Sequence, residues 1–172
     1  MSLKRNVFFS IAIVVAPLAV NAPAGAAPIA GDTVCPNATP YVQLYNDQSA
    51  NQNTPVDDFM VTIGKAIEAY ANCSSTMVTS GSAEGRHYAQ MREAQFRVAQ
   101  GRLLRLLERY DEARVALKDA IALVKDAIEW RSGGRAQADS IYKESSLTIK
   151  GIAQSELDKL PKPAPSPSPM PK

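Results

Sequence analysis

Histidine occurs once, at His87, and cysteine only twice, at Cys35 and Cys73. That scarcity excludes the Cys/His clusters that hold zinc and the ligand spacings that hold haem. A serine or cysteine nucleophile has no base available except His87, and no surrounding motif supports such a pairing. Gly133-Gly134 has neither a preceding strand nor the lysine spacing of a phosphate loop. No stretch alternates apolar and polar residues in the way a half-buried strand requires. Aromatic residues make up 6% of the chain and include one tryptophan, Trp130, which fits core or edge packing. Without an interleaved aromatic and basic platform, nucleic-acid binding is not expected. No catalytic residue, cofactor or metal is expected. His87 sits near a helix start and reads as a surface or capping residue.

The N-terminus, by contrast, has a recognisable layout. Lys4 and Arg5 precede an apolar run from Val7 to Val20, and Asn21 to Ala26 supplies a small-x-small end. This is the pattern of a bacterial-style secretory signal, with cleavage expected after Ala26. The run is shorter than the roughly 20 residues a bilayer-spanning helix needs and contains Pro17, so stable membrane insertion after cleavage is not expected. Taking Lys4 and Arg5 from the 19 basic residues leaves 17 against 17 acidic ones. The exported form is therefore neutral, and the basic isoelectric point belongs to the precursor. A secreted or periplasmic location makes a Cys35–Cys73 disulfide the expected pairing. Two free thiols, or pairing between molecules, are the alternatives.

Four segments divide the chain: a signal over 1–26, an irregular arm over 27–54, a helical domain over 55–160 and a Pro-rich disordered tail over 161–172. The arm is rich in Pro, Asn, Gln and Thr and has few apolar residues to bury. A first helix is expected to begin at Thr54-Pro55, with Thr54 as its cap. Val56, Phe59, Met60, Ile63, Ile67, Tyr70 and Ala71 line its apolar face, and it should end near Cys73. Ser74 to Ser82 reads as a loop. A second helix follows from Ala83 to Arg109, a third from Asp111 to Arg131, and a fourth from Arg135 to Leu160. The stripe of the fourth is Ala138, Ile141, Tyr142, Ser145, Ile149, Ile152 and Ala153. Ser132-Gly133-Gly134 ends the third helix, and Pro161 cannot continue the fourth. In the tail, proline at every second position reads as a polyproline-like spacer. Glu93–Arg97, Lys125–Glu129 and Asp139–Lys143 sit four residues apart, as ordinary pairs on solvated helix faces do.

The densest pattern lies between Ala94 and Lys125. Phe96, Ala99, Leu103, Leu106 and Tyr110 recur at helical spacing, and Ala113, Leu117, Ala120, Ile121, Val124 and Ile128 follow beyond a turn. Gly101 and the alanines at 99, 113, 116 and 120 let two helix axes approach closely. Tyr110-Asp111-Glu112-Ala113 resembles the signature turn of a tetratricopeptide repeat. In that register Gly101 takes the small helix-A position, Leu104 follows three residues later, Leu117 takes the large helix-B position and Ala120 the small one. Arg97, Gln100, Glu108 and Lys125 depart from the pattern, with Glu108 standing where the turn glycine belongs. The likeness covers one repeat of about 34 residues.

The expected fold is all-α, with four helices as two antiparallel hairpins, stacked as in tetratricopeptide repeats or closed as a four-helix bundle. Charge is unevenly spread: residues 32–72 sum to minus four and residues 84–109 to plus three. The bland account packs the basic face against the acidic first helix and arm, or leaves it solvated. The resemblance implies a groove lined by Gln95, Val98, Arg102, Arg105 and Leu106, with the arginine pair gripping a carboxylate or acidic segment. The expected function is binding of a protein or peptide partner without catalysis. Self-association as a structural helper of the cell envelope is the second reading, and a small-ligand carrier or enzyme the third.

Overall fold

The computed structural model describes residues 32–51, 53–131 and 136–162, the side chains of 136–139 excepted. Those residues contain no strand. After a single 3-10 turn at Pro36–Ala38 come five helices: α1 (Thr39–Ala50), α2 (Val56–Thr79), α3 (Ala83–Leu106), α4 (Tyr110–Glu129) and α5 (Ala136–Asp158). The all-helical expectation holds, but the count is five rather than four. The expected signal, residues 27–31 of the arm and residues 163–172 of the tail lie outside the described residues.

The additional helix is α1, in the segment expected to be irregular. It buries no residue fully, which is why no apolar stripe announced it. What holds it is aromatic: the Tyr45 ring stacks on Phe59 at 5.1 Å and meets Phe96 edge-on at 5.2 Å. Thr54 does not cap α2. Its hydroxyl donates to the Gln48 carbonyl at 3.0 Å, closing the α1–α2 connection instead.

Helix α2 also runs six residues past Cys73, through a stretch of serines and threonines. Such hydroxyls favour loops when they compete for backbone groups. Here Ser75, Thr76 and Thr79 each donate back one turn, to the carbonyls of Ala71, Asn72 and Ser75. With that competition absorbed inside the helix, Met77 and Val78 can extend it.

Two turns of one design close the central hairpins. At the end of α2, Ser82 N–H reaches the Met77 carbonyl and Gly81 N–H the Val78 carbonyl. At the end of α3, Arg109 N–H reaches Leu104 and Glu108 N–H reaches Arg105. Both are Schellman closures, which need a left-handed residue just past the helix. Gly81 meets this with φ +75 and Glu108 with φ +60. A side chain there costs roughly 1–2 kcal/mol. Glu108 is exposed, so Glu108→Gly is expected to raise stability by about 1 kcal/mol in a urea melt. An unchanged or lower midpoint would contradict that.

Helix α3 lies at the centre, against α2, α4 and α5, while α2 approaches neither α4 nor α5 among the described residues. One side of α3 (Ala89, Phe96, Leu103) joins Phe59, Ile63, Ala66, Ile67 and Tyr70 of α2. The other (Met91, Ala94, Val98, Leu104) joins Ala113, Leu117, Ala120 and Val124 of α4, and Ile149 and Ala153 of α5. Full burial of one such aliphatic side chain contributes roughly 1.5–3 kcal/mol, so these two clusters are the main source of stability. Being buried on two sides, α3 has no single apolar stripe. The expected series from Phe96 to Tyr110 mixes both faces, and Leu106 is 43% exposed.

The arm is fastened to this stack twice. Cys35 and Cys73 form a disulfide across a separation of 38 residues, as expected for an oxidising compartment. Asp32 supplies the second fastening. One of its carboxylate oxygens accepts from the amides of Val34 and Cys35, just ahead of the 3-10 turn. The other accepts from the hydroxyls of Tyr70 at 2.7 Å and Tyr88 at 2.9 Å.

Candidate functional site

Four arginines of α3, Arg92, Arg97, Arg102 and Arg105, have assigned partners, whereas the Nε of Arg86 is buried with no hydrogen-bond partner. Arg92 Nε donates to the Tyr70 hydroxyl at 3.3 Å and Nη1 to Gln95 Oε1 at 2.7 Å, beside the docked arm. Burial, first of all, pushes the Tyr70 hydroxyl up to about 12, with the Arg92 charge acting against it. Arg97 binds Glu93 at 2.8 Å and Asp119 of α4 at 3.2 Å. The four-residue pair expected on a solvated face is thus built on a buried acid, because the Glu93 side chain is 5% exposed. Asp139 lies outside the described side chains. Arg109 pairs with Glu112 at 2.6 Å across the hairpin turn. Only Arg92 follows the bland account of arginines packed against the arm.

Arg102 and Arg105 reach instead to α5. Arg102 Nε donates to Glu156 Oε1 at 3.2 Å and Arg105 Nε to Glu156 Oε2 at 3.1 Å. Lys159 Nζ adds a third contact, to Oε1, at 2.9 Å. Glu156 is 4% exposed, so one buried carboxylate faces three cations. Burial pushes its carboxyl up, but hydrogen bonding to Lys159 and the charges of Arg102, Lys159 and Arg105 outweigh that. The group titrates below its ordinary value of 4.5. The Nη nitrogens of both arginines bond nothing among the described residues. Arg102 also acts on α1: burial raises the Tyr45 hydroxyl and the Arg102 charge partly offsets the rise. Arg102, Arg105 and Glu156 mark one side of the stack, where α3 meets α5.

Of the five residues expected in a groove, three lie on that surface: Arg102, Arg105 and the 43% exposed Leu106. Val98, 1% exposed, is core, and Gln95 is buried against Arg92. Neither lines an open groove, a correction that follows from α3 being covered on two sides. Glu156 and Lys159 were not anticipated. The signal was available, because the buried face of α5 runs Ser146, Ile149, Ala153, Glu156 and Leu160. An acid at the next place of an apolar stripe needs a partner. The expected stripe drifted off this face at Ile141, which is 51% exposed.

Glu156→Gln leaves three cations sharing one neutral acceptor. The loss is expected to be about 2 kcal/mol at pH 7, within the penalty range for unpaired buried polar groups. A carboxyl with a depressed pKa gives stability that is present above its unfolded value and lost as pH falls through the folded one. The difference between wild type and variant should therefore shrink below the ordinary 4.5. Urea melts at neutral and strongly acidic pH check this, and a gap that stays constant would contradict it.

Two other features are distinct from this surface. His87 is 1% exposed, with its ring 5.1 Å from that of Trp130, which meets Tyr142 at 5.5 Å. It is neither a surface nor a capping residue; Ser82 caps α3 by accepting from Gly85 N–H at 3.2 Å. Burial and then the Arg86 charge hold the imidazole below its ordinary 6.5, so it is neutral at pH 7. The second is an open cleft of about 450 Å³ beside the disulfide, where Tyr41, Lys65, Glu68 and Asn72 contribute polar groups. Among the described residues, no three His, Cys, Asp or Glu gather into a metal-holding group, and no helix is long and apolar enough to cross a membrane.

No family model, curated protein or solved structure matches this chain.

Proposed function

We propose that this chain is an exported, non-catalytic helical domain that holds a protein or peptide partner on the side of the stack where α3 meets α5, as a tetratricopeptide-like scaffold or adaptor. The observation that carries the reading is the excess of cation over anion there: Arg102, Arg105 and Lys159 converge on Glu156 alone. Buried charge is ordinarily balanced, and an unbalanced cluster at a partly exposed face suits an external counter-charge. The scaffold comparison draws support from the open stacking of α2 away from α4 and α5, from Gly101 packing on Leu117 and from the paired hairpin turns. The signal-like N-terminus and the disulfide support export to a secreted or periplasmic location.

The test is affinity purification from native extract, with the exported form as bait and Arg102→Glu/Arg105→Glu as control. Partner capture should be lost in the variant while its helicity is kept; unchanged capture counts against this face. Self-association is the second reading, favoured by Ile141 and Leu147 on α5, 51% and 45% exposed. Light scattering across a dilution series separates the two, since a monomer at every concentration argues against self-assembly.

A further inference from the structure

We propose that Cys73 is a modification site: a small zwitterionic thiol enters the cleft beside the disulfide, attacks the Cys73 sulfur and stays there as a mixed disulfide. The two halves of the bridge differ in access. Cys35 is 1% exposed, whereas Cys73 is half-buried, and the bridge lines an open cleft of about 450 Å³. Exchange at a disulfide depends on which sulfur a thiolate can reach, and here the reachable one is on α2. The arriving thiol first gives its proton to water. Its thiolate then bonds to Cys73 Sγ and the bond between the two cysteines breaks. Cys35 Sγ leaves with the bonding pair and takes a proton from water. One disulfide is exchanged for another, so no outside oxidant or reductant is needed.

The cleft suits the rest of such a molecule. Several hundred Å³ is the size of a small-ligand site. Lys65, Ala69 and Cys73 follow one another at spacings of four along the face of α2 that lines it. Among the described residues, no hydrogen bond or ion pair holds the side chains of Lys65, Glu68 or Asn72. An ammonium, a carboxylate and an amide therefore stand open beside the sulfur. Lys65 lies about 12 Å up the helix from Cys73, eight residues at 1.5 Å each. One extended residue beyond a central cysteine, with the lysine's own stem, covers that span and joins a terminal carboxylate to Lys65. Glu68 is placed for the ammonium of the same ligand. Opening the bridge leaves the arm on the hydrogen bonds of Asp32 and on apolar contacts. One event thus both tags the chain and loosens its N-terminal segment.

The test uses the full exported form with its bridge intact and no denaturant. Glutathione, a zwitterionic thiol, and 2-mercaptoethanol, an uncharged one, are each taken through a concentration series and quenched in acid. Peptide mass spectrometry then locates the adduct. Glutathione should be found on Cys73 and not on Cys35, while circular dichroism still reads a folded chain. Lys65→Gln, at an exposed position, should slow glutathione capture roughly two- to fivefold, the size of one exposed ion pair. Capture of 2-mercaptoethanol should not change. Because Cys35 can expel the adduct again, Cys35→Ser with oxidised glutathione gives a second reading. There the Cys73 thiolate displaces one glutathione and keeps the other, with no second thiol to reverse the step. The inference is overturned by adduct on Cys35 as often as on Cys73, or by a bridge that opens only when urea unfolds the chain. It is also overturned if Lys65→Gln alters both thiols equally or neither, or if folded Cys35→Ser takes up no glutathione.

Discussion

Serine at both Cys35 and Cys73 is expected to lower unfolding stability by about 4 kcal/mol, the loop-entropy value for a bridge closing this many residues. The bridge joins residues 38 apart, and the loop it closes contains the 3-10 turn, all of α1 and the first three-quarters of α2. Helix α2 is held by its own core contacts with α3, so the bridge matters most for the part of the loop that precedes it. Helix α1 has no fully buried residue; its grip on the stack is the Tyr45 ring between Phe59 and Phe96 with half-buried Tyr41 and Val42 beside it. Once the bridge is gone, the segment before α2 keeps buried Ala38, the apolar contacts of α1 and the hydrogen bonds of Asp32 to Tyr70 and Tyr88, each bond contributing roughly 0.5–1.5 kcal/mol net. Loss should therefore be uneven. In hydrogen exchange, α1 amides lose protection first, while α3 and α4, which share their own core cluster, open only with global unfolding. Urea melts of the oxidised wild type and the double variant give the total. A difference under about 1 kcal/mol would mean that α1 is held by contacts other than those described, since the chain-entropy contribution is larger.

The same weakness of α1 explains what could and could not be read in advance. Helices α2, α4 and α5 bury apolar positions at helical spacing, and α3, buried on two sides, follows Gly81 at the end of α2, so their existence was legible from the sequence. Helix α1 was not, because Asn46, Asp47 and Ser49 interrupt its pattern and its packing residues, Tyr41, Val42 and Tyr45, are only half-buried. Helix α2 ends beyond Cys73 rather than near it because the serine and threonine hydroxyls, which favour loops elsewhere, bond within the helix here. At the binding face, Arg102 and Arg105 stood out through their spacing. Their partner is 51 to 54 residues away, and a one-dimensional charge count cannot pair groups that distant. Balancing charge by segment pointed towards the acidic first helix. The packing of α3 between two neighbours sent these two arginines to α5 instead, and the same packing moved Gln95 and Val98 from a groove into the interior.

A methyl group at Gly101 should be destabilising, against its ordinary effect in a helix. An added Cβ would stand 2.6 Å from Leu117 Cγ and 2.8 Å from its Cδ2, with the Ala113 carbonyl at 3.4 Å. Leu117 is 0% exposed, and Cγ lies close to its backbone, so no small rotation clears the contact. Glycine to alanine inside a helix normally gains up to about 1 kcal/mol. Overpacking in a filled core costs roughly 1–3 kcal/mol, so the net for Gly101→Ala is a loss of about 1–2 kcal/mol. Gly101→Val adds two further methyls and should lose more. Gly64 in α2 and Gly151 in α5 serve as controls, since a Cβ there meets nothing within 4 Å; alanine at either should be neutral or stabilising. Leu117→Ala alone is expected to cost about 2–5 kcal/mol through its cavity. Gly101→Ala placed on that background should then be harmless or favourable, because the new methyl enters the space Leu117 vacates. Thermal melts of the four-member cycle give the coupling directly. Additive losses would show that α3 and α4 can separate without cost at this crossing, and that the close approach read from Gly101 does not set their spacing.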